Sequence, residues 1–254
     1  MTGFEIVAIL LAGVAAGTIN TVVGSGTLIT FPTLLAFGVP PVTANVSNTV
    51  GLVPGSISGV IGYRAELAGQ RSRLVRLGSA SLVGGTAGAV LLLVLPEAAF
   101  DAVVPVLIGL GVLLVIIGPA TSRRVAARAE QRGGLPDHGA WWVWPGVALA
   151  GVYGGYFGAA QGVLLMAILG IGLADSLQRQ NATKNVLALL VNAIAAVVFI
   201  AVADIDWVVA GLIAAGSIVG GQLGATVGRR LPPAVLRGVI VVVGLVAIVA
   251  FVAG

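Results

Sequence analysis

Apolar runs of about 18 or more residues, the length a helix needs to cross a bilayer, recur along the whole chain. Charged side chains fall between them and make up only 9% of the residues, against roughly 25% in soluble domains. A chain patterned this way has too little polar surface to face water and needs lipid around it. Its mean hydropathy of +1.11 agrees. No stretch of useful size is left for a soluble domain, so the predicted class is an all-α polytopic membrane protein.

The rarer residues exclude several chemistries. With no cysteine, there are no disulfides, thiolate metal sites or cysteine nucleophiles. The one histidine, His138, lies in a polar connector, which argues against a structural zinc or haem site. No metal and no cofactor are expected. The arginines sit in short connectors, where topology demands them, so the basic balance points to membrane orientation and not to nucleic acid. The amino terminus, MTGFEIVAILLAGVAAG, has no basic residue before its apolar run and reads as a retained first span.

Ten helical segments are predicted, at roughly 5–23, 25–38, 41–63, 75–95, 99–120, 141–158, 160–174, 182–203, 206–228 and 234–252. Segments two and seven are too short to span about 30 Å of hydrocarbon and read as half-helices or hairpin arms. Arg64, Arg71, Arg73 and Arg76, then Arg123, Arg124, Arg128 and Arg132, then Arg229, Arg230 and Arg237 mark cytoplasmic connectors. Glu97 with Asp101, and Asp204 with Asp206, mark the opposite side. These assignments place both termini outside a cell (plasma or inner) membrane.

A shift of 136 residues aligns the chain with itself without a gap from residue 26 to residue 98. Gly26 falls on Gly162, Asn45 on Asn181, Ser47 on Thr183, and Ser81, Gly84 and Gly88 on Ser217, Gly220 and Gly224. Each half holds five segments, and an odd number turns the second half upside down. Glu97 and Asp101 accordingly fall on Pro233 and Arg237, where the local charge changes sign. The expected organisation is two inverted-topology repeats with short or broken helices near the midplane: 1–121, a basic cytoplasmic connector at 122–140, and 141–254. Such repeats are a signature of secondary transporters, which bind substrate between the halves.

The polar residues cluster at equivalent places. Gly24, Ser25, Gly26 and Thr27 form one break, with Asn20 beside it; Gln161 and Gly162 form the other. Asn45, Ser47 and Asn48 are read as opening the third segment, and Asn181, Thr183, Lys184 and Asn185 as opening the eighth. Glycine amides and helix starts suit an anion. Lys184 is the only lysine and offers a counter-charge. These fourteen residues are the candidate substrate site. Helix capping by Ser47 and Thr183, interhelical hydrogen bonding by Asn20 and Gln161, and an interfacial Lys184 are the competing structural roles. The small-residue patterns at 81–88 and 217–224 read as packing faces. No carboxylate lies deep in an apolar run; Asp175 and Asp101 are the weak candidates for a proton site. No GxxxxGK[ST] motif is present for ATP drive.

The segment GSGTLITFPTLLAFGVPP–TANVSNTV, its echo QNATKNV, and the basic connector after Gly62-Tyr63-Arg64 resemble the TauE/SafE group of sulfite and organosulfonate exporters. The resemblance covers essentially the whole chain and implies export of sulfur-containing anions. Where the first half has Gly24-Ser25-Gly26, the second has Ala160-Gln161-Gly162, so identical contacts from the two halves are not expected. The reading is a secondary transporter of small sulfur anions, with the bilayer and a small anion as partners, the oligomeric state open, and no enzymatic activity. The alternatives are a channel or permease for another small anion or neutral solute, a membrane-embedded enzyme, and a subunit of a larger complex.

Overall fold

The computed structural model describes residues 1–130 and 139–227, with Arg230, Gly238, Val241, Val242 and Leu245 beyond them. Among the described residues there are helices and no strands: α1 (Gly3–Val22), α2 (Thr27–Ala36), α3 (Pro41–Gly62), α4 (Arg71–Val94), α5 (Glu97–Glu130), α6 (Val143–Tyr156), α7 (Gln161–Gly172), α8 (Leu177–Val202) and α9 (Trp207–Thr226). Each matches an expected segment. The tenth, 234–252, lies almost wholly outside the described residues, as do Arg132, Asp137, His138, Arg229, Arg237 and the Pro232–Ala234 stretch.

Local chemistry sets the ends. Thr2 and Glu5 form a reciprocal cap on α1, Pro41 supplies the preset first turn of α3, and Asp206 accepts from the amides of Val208 and Val209 at 3.0 Å. Two ends differ from expectation. Residues 121–130 are rich in alanine and arginine, good helix formers, so α5 runs ten residues past its expected end at 120 and through Arg123, Arg124 and Arg128. Ser176 caps α8, accepting from the Arg179 amide at 3.4 Å, so that helix begins five residues before the expected 182.

Polarity is inside out. Phe4, Val75, Val94, Leu149 and Val202 are exposed, while Asn45, Ser47, Asn48, Thr183 and Lys184 are buried. Water does not favour that arrangement; lipid does. Among the described residues five helices are long and apolar enough to cross a membrane: α1, α4, α5 (over Ala98–Ile117), α8 and α9. The chain is a multi-pass membrane protein.

Both short helices are hairpin arms. The Phe37 ring at the end of α2 meets Phe4 at the start of α1, with ring centroids 6.1 Å apart. The Ala140 amide, before α6, donates at 3.1 Å to the Gly172 carbonyl at the end of α7. Each arm therefore returns to the end of the bundle where its partner began. The long helices then interlock. α9 packs between α1 and α3, and α4 packs between α6 and α8. The fourth helix of each half thus lies against the first and third helices of the other.

Small residues allow this approach. The glycines of the 81–88 and 217–224 patterns face backbone: Gly84 and Gly88 lie against Ala148 and Val152, and Gly220 and Gly224 against Val14 and Thr18. Interhelical hydrogen bonds add to it, from Ser217 Oγ to Gly51 O at 3.0 Å and from Ser58 Oγ to Ile218 O at 2.8 Å. A Cβ at Gly224 would stand 2.7 Å from Thr18 O, and one at Gly17 would stand 2.5 Å from Ser217 O. Gly17→Leu and Gly224→Leu are each expected to destabilise the purified protein by at least ~2 kcal/mol. Thermal unfolding in detergent tests this, and an unchanged midpoint contradicts the close α1–α9 packing.

Candidate functional site

The site grows from two chain breaks. After α1 the chain turns at Gly24, whose φ of 90° suits glycine. Asn20 stabilises the turn: its Oδ1 accepts from the Gly26 amide at 2.7 Å. The second break follows α6 and turns at Gly158, φ 75°. The breaks touch. The Gly162 amide donates to Gly24 O at 3.0 Å, and a Cβ on either glycine would strike the backbone of the other.

Beside this crossing lies a polar cavity of about 30 Å³, room for one or two waters. Three pairs of residues, one from each half, line it: Gly24 with Gly158, Thr27 with Gln161, and Ser56 with Asn192. Asn20, Thr21, Gly162, Asn185 and Ala188 complete the wall. The first two pairs are 134 residues apart and the third 136. Gly24 and Gly158 are alike in having a positive φ at the two turns.

Of the candidate residues, Asn20, Gly24, Thr27, Gln161, Gly162 and Asn185 line the cavity. Gly26 and Ser25 belong to its first break, and the buried Ser25 Oγ has no partner among the described residues. Lys184 is fully buried behind the wall. Its Nζ donates to Asn20 O at 2.9 Å and Thr21 O at 3.3 Å, the last carbonyls of α1, where the helix dipole is negative. Asn181 and Asn185 donate to the same Thr21 carbonyl at 3.2 and 3.3 Å.

Four candidates face elsewhere. Asn45 Nδ2 donates to Tyr156 O at 2.9 Å, at the end of α6. Asn48 joins Thr27 and Thr30 of α2. Ser47 Oγ accepts from the Asp206 amide at 2.9 Å, and Thr183 donates to Gln70 Oε1 at 2.9 Å. The reading of these motifs as helix starts is corrected: Asn45 and Asn181 are each the fifth residue of their helix, α3 starting at 41 as expected and α8 starting earlier, behind its Ser176 cap. The helix starts at the cavity are those of α2 and α7. The sequence reading missed Thr21, Ser56, Gly158, Ala188 and Asn192. Ser56 and Asn192 carried a usable signal, two polar residues 136 apart on apolar helix stretches.

A charged cluster joins the halves at the basic end of the bundle. Asp175, between α7 and α8, pairs with Arg73 of α4 at 2.5 Å and Arg179 of α8 at 2.9 Å. Gln70 bridges the same elements through Arg73 and Thr183. Burial pushes the Asp175 carboxyl up, but Arg73, the Ser176 amide and Arg179 outweigh it and hold it below 3.8. Asp175 is thus held as an ion-paired carboxylate, whatever its candidacy as a proton site; the Asp101 side chain lies outside the described residues. A depressed carboxylate contributes stability that is present above its unfolded pKa and lost as pH falls through the folded one. Asp175→Asn is therefore expected to lower stability at neutral pH by about 1–3 kcal/mol, and to lose less than wild type below pH 3.8. Thermal scans from about pH 7 to pH 3 test this; identical acid limbs contradict it.

The arrangement defines an α-helical membrane protein with a central polar cavity between two interlocked hairpins. Residues 9–251 match the family described as sulfite exporter TauE/SafE, and the chain belongs to that family. Relatives include the "Probable membrane transporter protein YfcA" of Escherichia coli K12, 26% identical over 239 residues, 91% of this chain and 83% of that protein. Another is a "Probable membrane transporter protein" of Haemophilus influenzae, 27% identical over 248 residues, 94% of this chain and 92% of that protein. No solved structure matches. The chain is a membrane transporter and not an enzyme.

Proposed function

We propose that this protein is a secondary transporter that exports small sulfur-containing anions, sulfite or organosulfonates, by alternating access between two inverted halves. The observation that carries the reading is the convergence of both chain breaks on one polar cavity, with the only lysine directly behind it. Amide groups and glycine backbone dominate the wall, no carboxylate does, and Lys184 supplies positive charge without an acidic hydrogen-bond partner. Such a wall favours an anion.

The exchange of helices between halves supports the inverted repeat. So do the matched ties Asn45 to Tyr156 O and Asn181 to Thr21 O, in which an asparagine of one half holds the end of the first helix of the other. The hairpins agree with the sides assigned to the charged connectors from sequence, and on this reading the protein sits in the cell membrane with both termini outside. A cavity this small favours a carrier over a channel, which needs a continuous wet path.

Membrane potential is the proposed drive. Exporting one negative charge from a negative interior gains about 2.3 kcal/mol per 100 mV. In proteoliposomes, sulfite flux is expected to saturate, show counterflow and rise with an imposed potential. Lys184→Met is expected to cut it by tenfold or more, since bonds to charged groups contribute about 1.5–3 kcal/mol. Flux that needs a proton or sodium gradient and ignores potential contradicts the drive; full flux in a folded Lys184→Met protein contradicts the site.

A further inference from the structure

The side chains on the cavity wall are mostly polar, while their stems and the glycines leave about half of its surface apolar. Among its lining residues only Ala188 has an apolar side chain. Binding sites for organic molecules are lined mainly by apolar and aromatic groups, and an alkyl chain placed here would take amides out of water without giving them hydrogen bonds. The wall has little room to yield on one side, because Gly24 and Gly162 are already in backbone contact.

Two side chains on that wall have hydrogen-bond donors to spare. Gln161 is 3% exposed, and its Nε2 has no partner among the described residues. Asn192, on α8, makes no hydrogen bond to any described residue, yet lines the cavity. Opposite Asn192 in the repeat stands Ser56 on α3, whose hydroxyl donates to Leu52 O at 2.9 Å and can turn its proton to a ligand. The donors come from α3, α7 and α8, so a ligand with several oxygens on one centre is the shape that meets them together.

We propose that this cavity selects a compact inorganic oxyanion such as sulfite over an alkylsulfonate, and that Asn192, with Gln161, is the residue that makes the selection. The inference rests on the anion-carrier reading above and narrows it. Asn192 acts twice: its amide donates to an anion oxygen, and its bulk occupies the space a carbon substituent needs.

The test compares sulfite with methanesulfonate at a pH where hydrogen sulfite is the main form, so that both carry one negative charge and methanesulfonate adds a methyl group on sulfur. Flux in proteoliposomes gives KM and maximal rate, and the shift in unfolding temperature of the purified protein gives binding without transport. Wild type is expected to favour sulfite. Asn192→Ala is expected to raise the sulfite KM about tenfold and improve the methanesulfonate KM, with maximal rates much less affected. A merely structural role would move both anions together. Asn192→Ser, a smaller polar change, and Gln161→Ala serve if the alanine variant does not fold. Equal handling of the two anions by wild type overturns the inference and leaves the carrier reading standing, as does an unmoved KM ratio in the folded variants. If wild type neither carries nor binds either anion, the anion-carrier reading itself falls, and this inference with it.

Discussion

The contact between Gly24 and Gly162 is the constraint on which the rest of the structure depends. The chain turns on glycine after α1 and again after α6, and the two breaks meet backbone to backbone. Backbone groups released at such turns have no water to satisfy them in hydrocarbon. Asn20 takes the Gly26 amide, Gly24 O takes the Gly162 amide, and Asn181, Asn185 and Lys184 converge on the end of α1. The polar residues are therefore first a means of ending helices in an apolar medium. The cavity is the space left where two such endings cross.

The two sides of the cavity wall are not alike. Thr27 and Ser56 are small; their counterparts Gln161 and Asn192 are longer amides. Lys184 falls on Asn48 in the repeat, so one half brings a charge and the other an amide. Asn48 is occupied with Thr27 and Thr30, whereas Lys184 sits on helix carbonyls at the crossing. The ends are unlike as well. Asp175, Arg73 and Arg179 close the basic end with ion pairs. Phe31, Phe100, Tyr156 and Phe157 pack edge-on or tilted in an aromatic cluster away from it, with Phe31 and Phe157 centroids 5.0 Å apart.

The helices were legible because lipid imposes a simple rule: long apolar runs, with charges at their ends. The hairpins were half legible. Length marked α2 and α7 as incomplete spans, but only contacts such as Phe4 with Phe37 tell a returning arm from a half-helix. At the site, Asn20, Gln161 and Asn185 stood out as polar residues in greasy surroundings. Asn45 and Ser47 stood out equally and proved to be ties to Tyr156 and Asp206; type and spacing alone do not say which way an asparagine faces. Ser56 and Asn192 were hidden because neither lies in the polar clusters at the breaks and each sits on an otherwise apolar helix stretch. Their pairing across the repeat has meaning once both are seen on one wall.

The central claim is that the crossing lies midway between two access routes and is reached from each in turn. The chain has no cysteine, so Thr27→Cys introduces a single thiol into the wall. The decisive measurement is its reaction with a membrane-impermeant thiol reagent, applied from each face of the membrane in vesicles of known orientation. The account predicts labelling from both faces in protein that still transports. Labelling from one face only, in a transport-competent variant, would contradict it and place the Gly24–Gly162 crossing outside the substrate path.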